Sequence, residues 1–231
     1  MQRRKFTSGA LAASILAGFQ LPARASLQSL TETDAATGIR AALERGAVAA
    51  VGLLGRTDGF LGNPKVRIEL PGVLNDAARF LKATGQQKRV DELITAMNRA
   101  AEAAVPQARA LLVNAVKNMS VEDARNILTG GDDSATQFFA GKTREPLSQK
   151  FLPIVTKATE KVSLADKYNA VAGKASSFGL LRKDQANVQE YVTGKALDGL
   201  YLIIGEEERK IRQDPVGTGS AILKKVFGAL R

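Results

Sequence analysis

Residues 185–212 read QANVQEYVTGKALDGLYLIIGEEERKIR, and the spacing of their apolar side chains decides the fold. Projected at 100° per residue, Val188, Tyr191, Val192, Leu202 and Ile203 fall on one side of a helix. Leu197, Leu200, Ile204 and Ile211 fall on the other. A helix that is apolar on two sides must be covered on two sides. The segment is therefore expected to be the spine of an all-α, single multi-helix domain. Pro215 ends it, because proline lacks the backbone N–H that a further turn needs.

The flanking chain carries the same helical period. Thr31 and Asp34 have the spacing of a capping box at the start of a helix that reaches Leu54. Helices are expected over 73–84, 87–105, 106–118, 120–128, 134–143, 145–162, 164–172 and 218–228. Val90, Leu93, Ile94, Met97, Ala101 and Ala104 form the stripe of the second. Pro106 and Pro146 suit first turns. Ser120 with Asp123 reads as a cap. Residues 173–183 read as a loop.

Residues 55–72 are irregular. Within them Val66, Ile68 and Leu70 alternate with Lys65, Arg67 and Glu69, a period-2 pattern that predicts one short extended or β-ribbon segment near residues 64–71.

Composition excludes much chemistry. The chain has no Cys, His or Trp. That rules out disulfides, thiol nucleophiles, Ser–His–Asp relays and the common zinc and haem ligand sets. No metal or other cofactor is expected. The formal charge is +10. The basic excess is spread along the chain, with no dense Lys/Arg segment interleaved with aromatics. It suits an anionic envelope component rather than nucleic acid.

Residues 1–25, MQRRKFTSGALAASILAGFQLPARA, read as an export address. Arg3-Arg4-Lys5 precedes an apolar stretch to Leu21, and Pro22 breaks it. Ala23-Arg24-Ala25 is the small-x-small pattern of signal peptidase, so cleavage is expected between Ala25 and Ser26. Arg3, Arg4 and Phe6 resemble the twin-arginine signal. The apolar stretch is too short to span a bilayer. Residues 26–231 would then be one helical domain in the periplasm, with no transmembrane span. Removing the four basic residues of the leader from 33 leaves 29 against 23 acids, a net charge of about +6.

Several stretches together resemble a bacterial family catalogued as domain of unknown function 4197. They are Asp58-Gly59-Phe60 with Asn63 to Ile68, Met97 to Glu102, Ile127 to Gly130, and Ala135 to Phe139 with Lys142-Thr143. Phe151 with Pro153 to Val155, Lys195 to Leu200, and Lys224 to Gly228 complete the set. The resemblance implies a helical, exported bacterial protein and supplies no activity. Members often carry general secretory or lipoprotein signals, and this chain departs from them in its twin-arginine start.

Four polar groups merit attention as sites. Lys195 and Asp198 are three residues apart and project onto the side of Val192 and Leu202. They read either as the charged floor of a ligand pocket or as a structural ion pair that fixes helix register, the reading preferred here. Arg67, with Asn63 and Lys65, is the loop position best suited to grip a carboxylate or phosphate; the bland alternative is a solvated strand face. Asn98 is a further candidate ligand-binding residue, and its simpler reading is a buried amide tying helix to loop. Asp132, Asp133, Thr136 and Lys142 read as helix-end residues placed for capping and for the helix dipole. Glu206-Glu207-Glu208-Arg209-Lys210 reads as a solvated helix end. These features favour a non-enzymatic binding or interaction module of the cell envelope, engaging an envelope protein or anionic component. The alternative is a small-ligand-binding protein or an enzyme working with carboxylates and lysine around Lys195 and Asp198.

Overall fold

The computed structural model describes residues 32–161 and 163–214. The expected leader, with Arg3, Arg4, Phe6 and the Ala25–Ser26 junction, lies outside the described residues, as do Thr31 and the expected helix at 218–228.

Among the described residues the chain forms eight α-helices and no strand. They are α1 (Glu32–Leu54), α2 (Gly72–Leu81), α3 (Gln87–Ala104), α4 (Ala108–Lys117), α5 (Val121–Thr129), α6 (Ser134–Thr159), α7 (Ser163–Ser177) and α8 (Val188–Gln213). The sequence placed the spine correctly. Fourteen of the 26 residues of α8 are buried, and it packs against α1, α3 and α6. One apolar core runs from Ala36 to Ile204, with Phe60, Phe139 and Phe151 fully enclosed.

The region expected as two helices, 134–143 and 145–162, is one helix that runs straight through Pro146 and Pro153. Each proline costs a helix interior about 3 kcal/mol. Burial outweighs that cost. Ala135, Phe139, Thr143, Leu147, Phe151, Val155 and Thr159 are all buried, one every four residues without interruption. Neither proline belongs to that stripe. Each four-residue step turns the stripe by about 40°, so successive turns of α6 meet different neighbours among α8, α3, α4 and α5. Helix α7 likewise continues past Gly173 to Ser177, because one glycine in a helix costs only about 1 kcal/mol. Between α2 and α3, Thr84 and Gly85 leave helical geometry and form a kink. Ser120 and Asp123 form the expected reciprocal cap of α5.

The period-2 segment keeps its alternation without becoming a strand. Val66, Ile68 and Leu70 are buried while Lys65, Arg67 and Glu69 are exposed. The segment lies against α8 at Gly199, where a Cβ would come within 2.8 Å of the Phe60 ring and 3.2 Å of Val66. Gly199→Ala should therefore destabilise the fold by about 2 kcal/mol through overpacking. Gly194→Ala, in open space on the same helix, should stabilise it by about 0.5 kcal/mol. Urea denaturation of both variants checks the pair.

Candidate functional site

An irregular segment packed on helices must find partners for its own N–H and C=O groups. Here the partners are side chains of α3. Asn98 is fully buried; its Oδ1 accepts the Ile68 N–H at 2.8 Å. Its Nδ2 donates to Ile68 O at 2.9 Å and to Ile94 O at 2.8 Å. The side-chain amide thus pairs with one residue's backbone as a neighbouring strand would. One turn later, the buried Glu102 accepts the N–H groups of Phe60 and Leu61 through Oε1, each at 3.0 Å. Its other oxygen accepts from Arg99 at 2.7 Å, and Arg99 reaches on to Asp58 at 2.8 Å. Hydrogen bonds to these two carboxylates hold the Arg99 guanidinium above its ordinary pKa. Asp58 itself adopts a left-handed backbone, φ 63°. The Tyr191 hydroxyl, from α8, donates to Glu69 O at 2.7 Å.

The loop so fixed presents charge to solvent. Arg67 folds back on its own segment, donating to Leu61 O at 2.8 Å and pairing with Glu69 at 2.5 Å. Asn63 accepts from the Lys65 N–H at 3.2 Å, a local turn. Lys65 bridges to Glu206 of α8 at 2.7 Å. Further along the outer face of α8, Asp198 pairs with Arg144 of α6 at 2.9 Å, and that guanidinium lies 5.1 Å from the centre of the Tyr201 ring.

Lys195 and Asp198 do not pair with each other. Both are exposed, on the side of α8 where Leu202 is 43% exposed. The helix is covered strongly enough by its other faces to leave this strip open. Shallow indentations of 260–820 Å³ among the described residues lie elsewhere, and those over α3, α4, α5 and α6 are not lined by Arg67, Lys195 or Asp198.

The helix-end residues divide. Asp133 occupies the N-cap position of α6 without capping it; its carboxylate accepts from Gln137 instead. The cap comes from α8. Glu208 is buried, and its oxygens accept the Ala135 N–H at 2.9 Å, the Thr136 N–H at 3.0 Å and the Thr136 hydroxyl at 2.9 Å. A carboxylate there also meets the positive end of the helix dipole. Arg212 closes the group, reaching Glu208, the Ser134 hydroxyl and Ile127 O at 2.7–2.8 Å. Asp132 is exposed; Lys142, expected near a helix end, is exposed in the interior of α6, because that helix runs on to Thr159. Glu208 thus departs from the solvated helix end expected for 206–210. Its position four residues after Ile204 and three before Ile211 placed it on a buried stripe, a signal the sequence contained. Glu102, four residues after Asn98, carried the same signal.

Among the described residues no three His, Cys, Asp or Glu side chains gather to hold a metal ion, and no helix is long and apolar enough to cross a membrane. The family model described as a protein of unknown function (DUF4197) matches residues 29–228. The chain belongs to this family. Neither the curated proteins nor the solved structures gave a match. The DUF4197 match includes the Asn98, Glu102 and Glu208 positions, so these ties lie within the family's domain.

Losing Asn98 would strand the buried N–H and C=O of Ile68, at about 1–3 kcal/mol per group. Asn98→Ala should therefore cost about 3 kcal/mol, and Glu208→Ala about 3 kcal/mol by leaving the α6 amides and Arg212 unpaired. Arg67→Ala should change stability by less than about 1 kcal/mol, as an exposed pair. Denaturant midpoints of the three variants test this ranking.

Burial is also the main cause that raises all three tyrosines above the ordinary phenol range, with Tyr191 pushed up to about 12. The Glu69 charge adds to the effect at Tyr191. A phenol whose folded pKa is raised contributes stability that is full below its unfolded pKa of about 10 and lost as pH climbs through the folded value. Absorbance titration of the folded chain should show the tyrosines ionising above the ordinary phenol range, Tyr191 near pH 12. A tyrosine titrating near pH 10 in folded protein would refute this.

Proposed function

We propose that the chain is exported to the periplasm and acts there as a non-enzymatic interaction module of the cell envelope. The observation that carries the reading is how the charged groups are deployed. Lys65–Glu206, Arg99–Asp58 and Arg144–Asp198 join separate elements at the surface. The buried Asn98, Glu102 and Glu208 hold backbone groups, and none of them lines the indentations described above. The result is a firmly tied, charged surface around Arg67 that suits contact with an envelope protein or an anionic component.

Export is supported by residues 1–25 and by the matched family region, which begins just after the expected Ala25–Ser26 junction. The paired arginines favour the twin-arginine route, and rapid folding of a helical domain before transport is compatible with that choice.

Expression in a bacterial host followed by fractionation and intact-mass measurement tests the reading. A periplasmic product starting at Ser26 is expected, and Arg3→Lys with Arg4→Lys should leave uncut precursor in the cytoplasm. Unprocessed wild-type chain in the cytoplasm would overturn export. A stoichiometric small molecule retained by the purified protein in native mass spectrometry would overturn the interaction reading.

A further inference from the structure

The end of α7 carries an apolar surface that the Arg67 region does not explain. The buried face of α7 is made by Ala165, Tyr168 and Ala172. On a different face Val171 is 49% exposed, and beyond the last turn Phe178 is 79% and Leu180 65% exposed. The Phe178 N–H still bonds to Lys174 O at 3.2 Å, so Phe178 continues the helical path. At 100° per residue, Lys167, Val171, Lys174 and Phe178 then fall within about 60° of one another. Both lysines are exposed. Gly179 turns the chain with φ 73°, Leu180 follows it exposed, and the buried Leu181 anchors the return.

Basic residues outnumber acids in the tip, with Lys174, Arg182 and Lys183 against Asp184. Lys183 is exposed. Asp184 is occupied by Arg182 through two bonds of 3.0 Å. Lys195 of α8 lies near enough to help lower the Asp184 pKa, after the larger effect of the Arg182 hydrogen bond. Asp166, the acid nearest in sequence to the stripe, projects about 140° away from Val171.

We infer that the 171–183 tip is a membrane-contact element that seats Phe178 and Leu180 in the interface of an anionic bilayer. Its lysines would lie against the lipid phosphates. Two large exposed apolar side chains, with Lys174 and Lys183 four and three residues from them in the chain, match a surface that is apolar within and negative at its boundary. Phe178 and Leu180 are the two most exposed of the large apolar side chains among the described residues, and they lie two residues apart. A protein groove would be served equally well without the lysines. The inference adds a second contact surface to the one around Arg67. It draws on the envelope reading only for where such a bilayer would be met.

Co-sedimentation with phosphatidylcholine vesicles, with and without phosphatidylglycerol, tests it. The chain lacking residues 1–25 should be used, once circular dichroism shows that it keeps the helical content of the full chain, so that the apolar leader does not bind. Binding is expected only where phosphatidylglycerol is present, and it should weaken with salt. Phe178→Ser with Leu180→Ser should lower partitioning about tenfold or more. Lys174→Gln with Lys183→Gln should erase the preference for phosphatidylglycerol while the fold stays intact. Equal partitioning of wild type and the Phe178/Leu180 variant would overturn the inference. So would self-association that the same variant abolishes. None of these outcomes bears on processing at Ser26, so the two readings fail separately.

Discussion

The structure depends on one constraint: buried backbone groups need hydrogen-bond partners, and this chain supplies them to its irregular segments from helix side chains. The run from Asp58 to Leu70 packs on the core with no strand beside it among the described residues. Asn98 takes both backbone groups of Ile68, and Glu102 takes the amides of Phe60 and Leu61. The same solution closes the start of α6, where Glu208 accepts two of the amides that no preceding turn can satisfy. These three side chains lie on α3 and α8, the helices that also carry much of the apolar core. Packing and polar satisfaction are therefore coupled: shifting either helix by one residue would break both.

That coupling explains what the sequence disclosed and what it hid. The spine was legible because its apolar residues occupy two sides of a helix, and no solvated helix tolerates that. The buried–exposed alternation of 65–70 was legible for a similar reason, yet its partner was not. Period 2 shows which side chains face inward and says nothing about what the backbone bonds to. Asn98 was read correctly because an amide at the edge of an apolar stripe has few other uses. Glu102 and Glu208 are harder to read, because charge ordinarily signals solvent, although each sits at helical spacing within a buried stripe. The break expected near Pro146 followed local propensity, and the four-residue stripe of α6 outweighed it.

The candidate site was legible in membership more than in arrangement. Arg67, Asn63, Lys195 and Asp198 are all on the surface, yet the expected Lys195–Asp198 pair is replaced by Asp198 with Arg144. Distances across separate helices depend on packing, which a one-dimensional pattern does not contain. The apolar tip at Phe178 and Leu180 escaped for another reason: a short apolar run after a helix reads as core until the structure leaves it uncovered.

Amide hydrogen exchange at Ile68 tests the central claim most directly. If Asn98 stands in for a neighbouring strand, the Ile68 N–H should exchange as slowly as amides inside α8, and Asn98→Ala should release it while α8 stays protected. Fast exchange of Ile68 in the unaltered chain, at the rate of an open loop, would contradict the account.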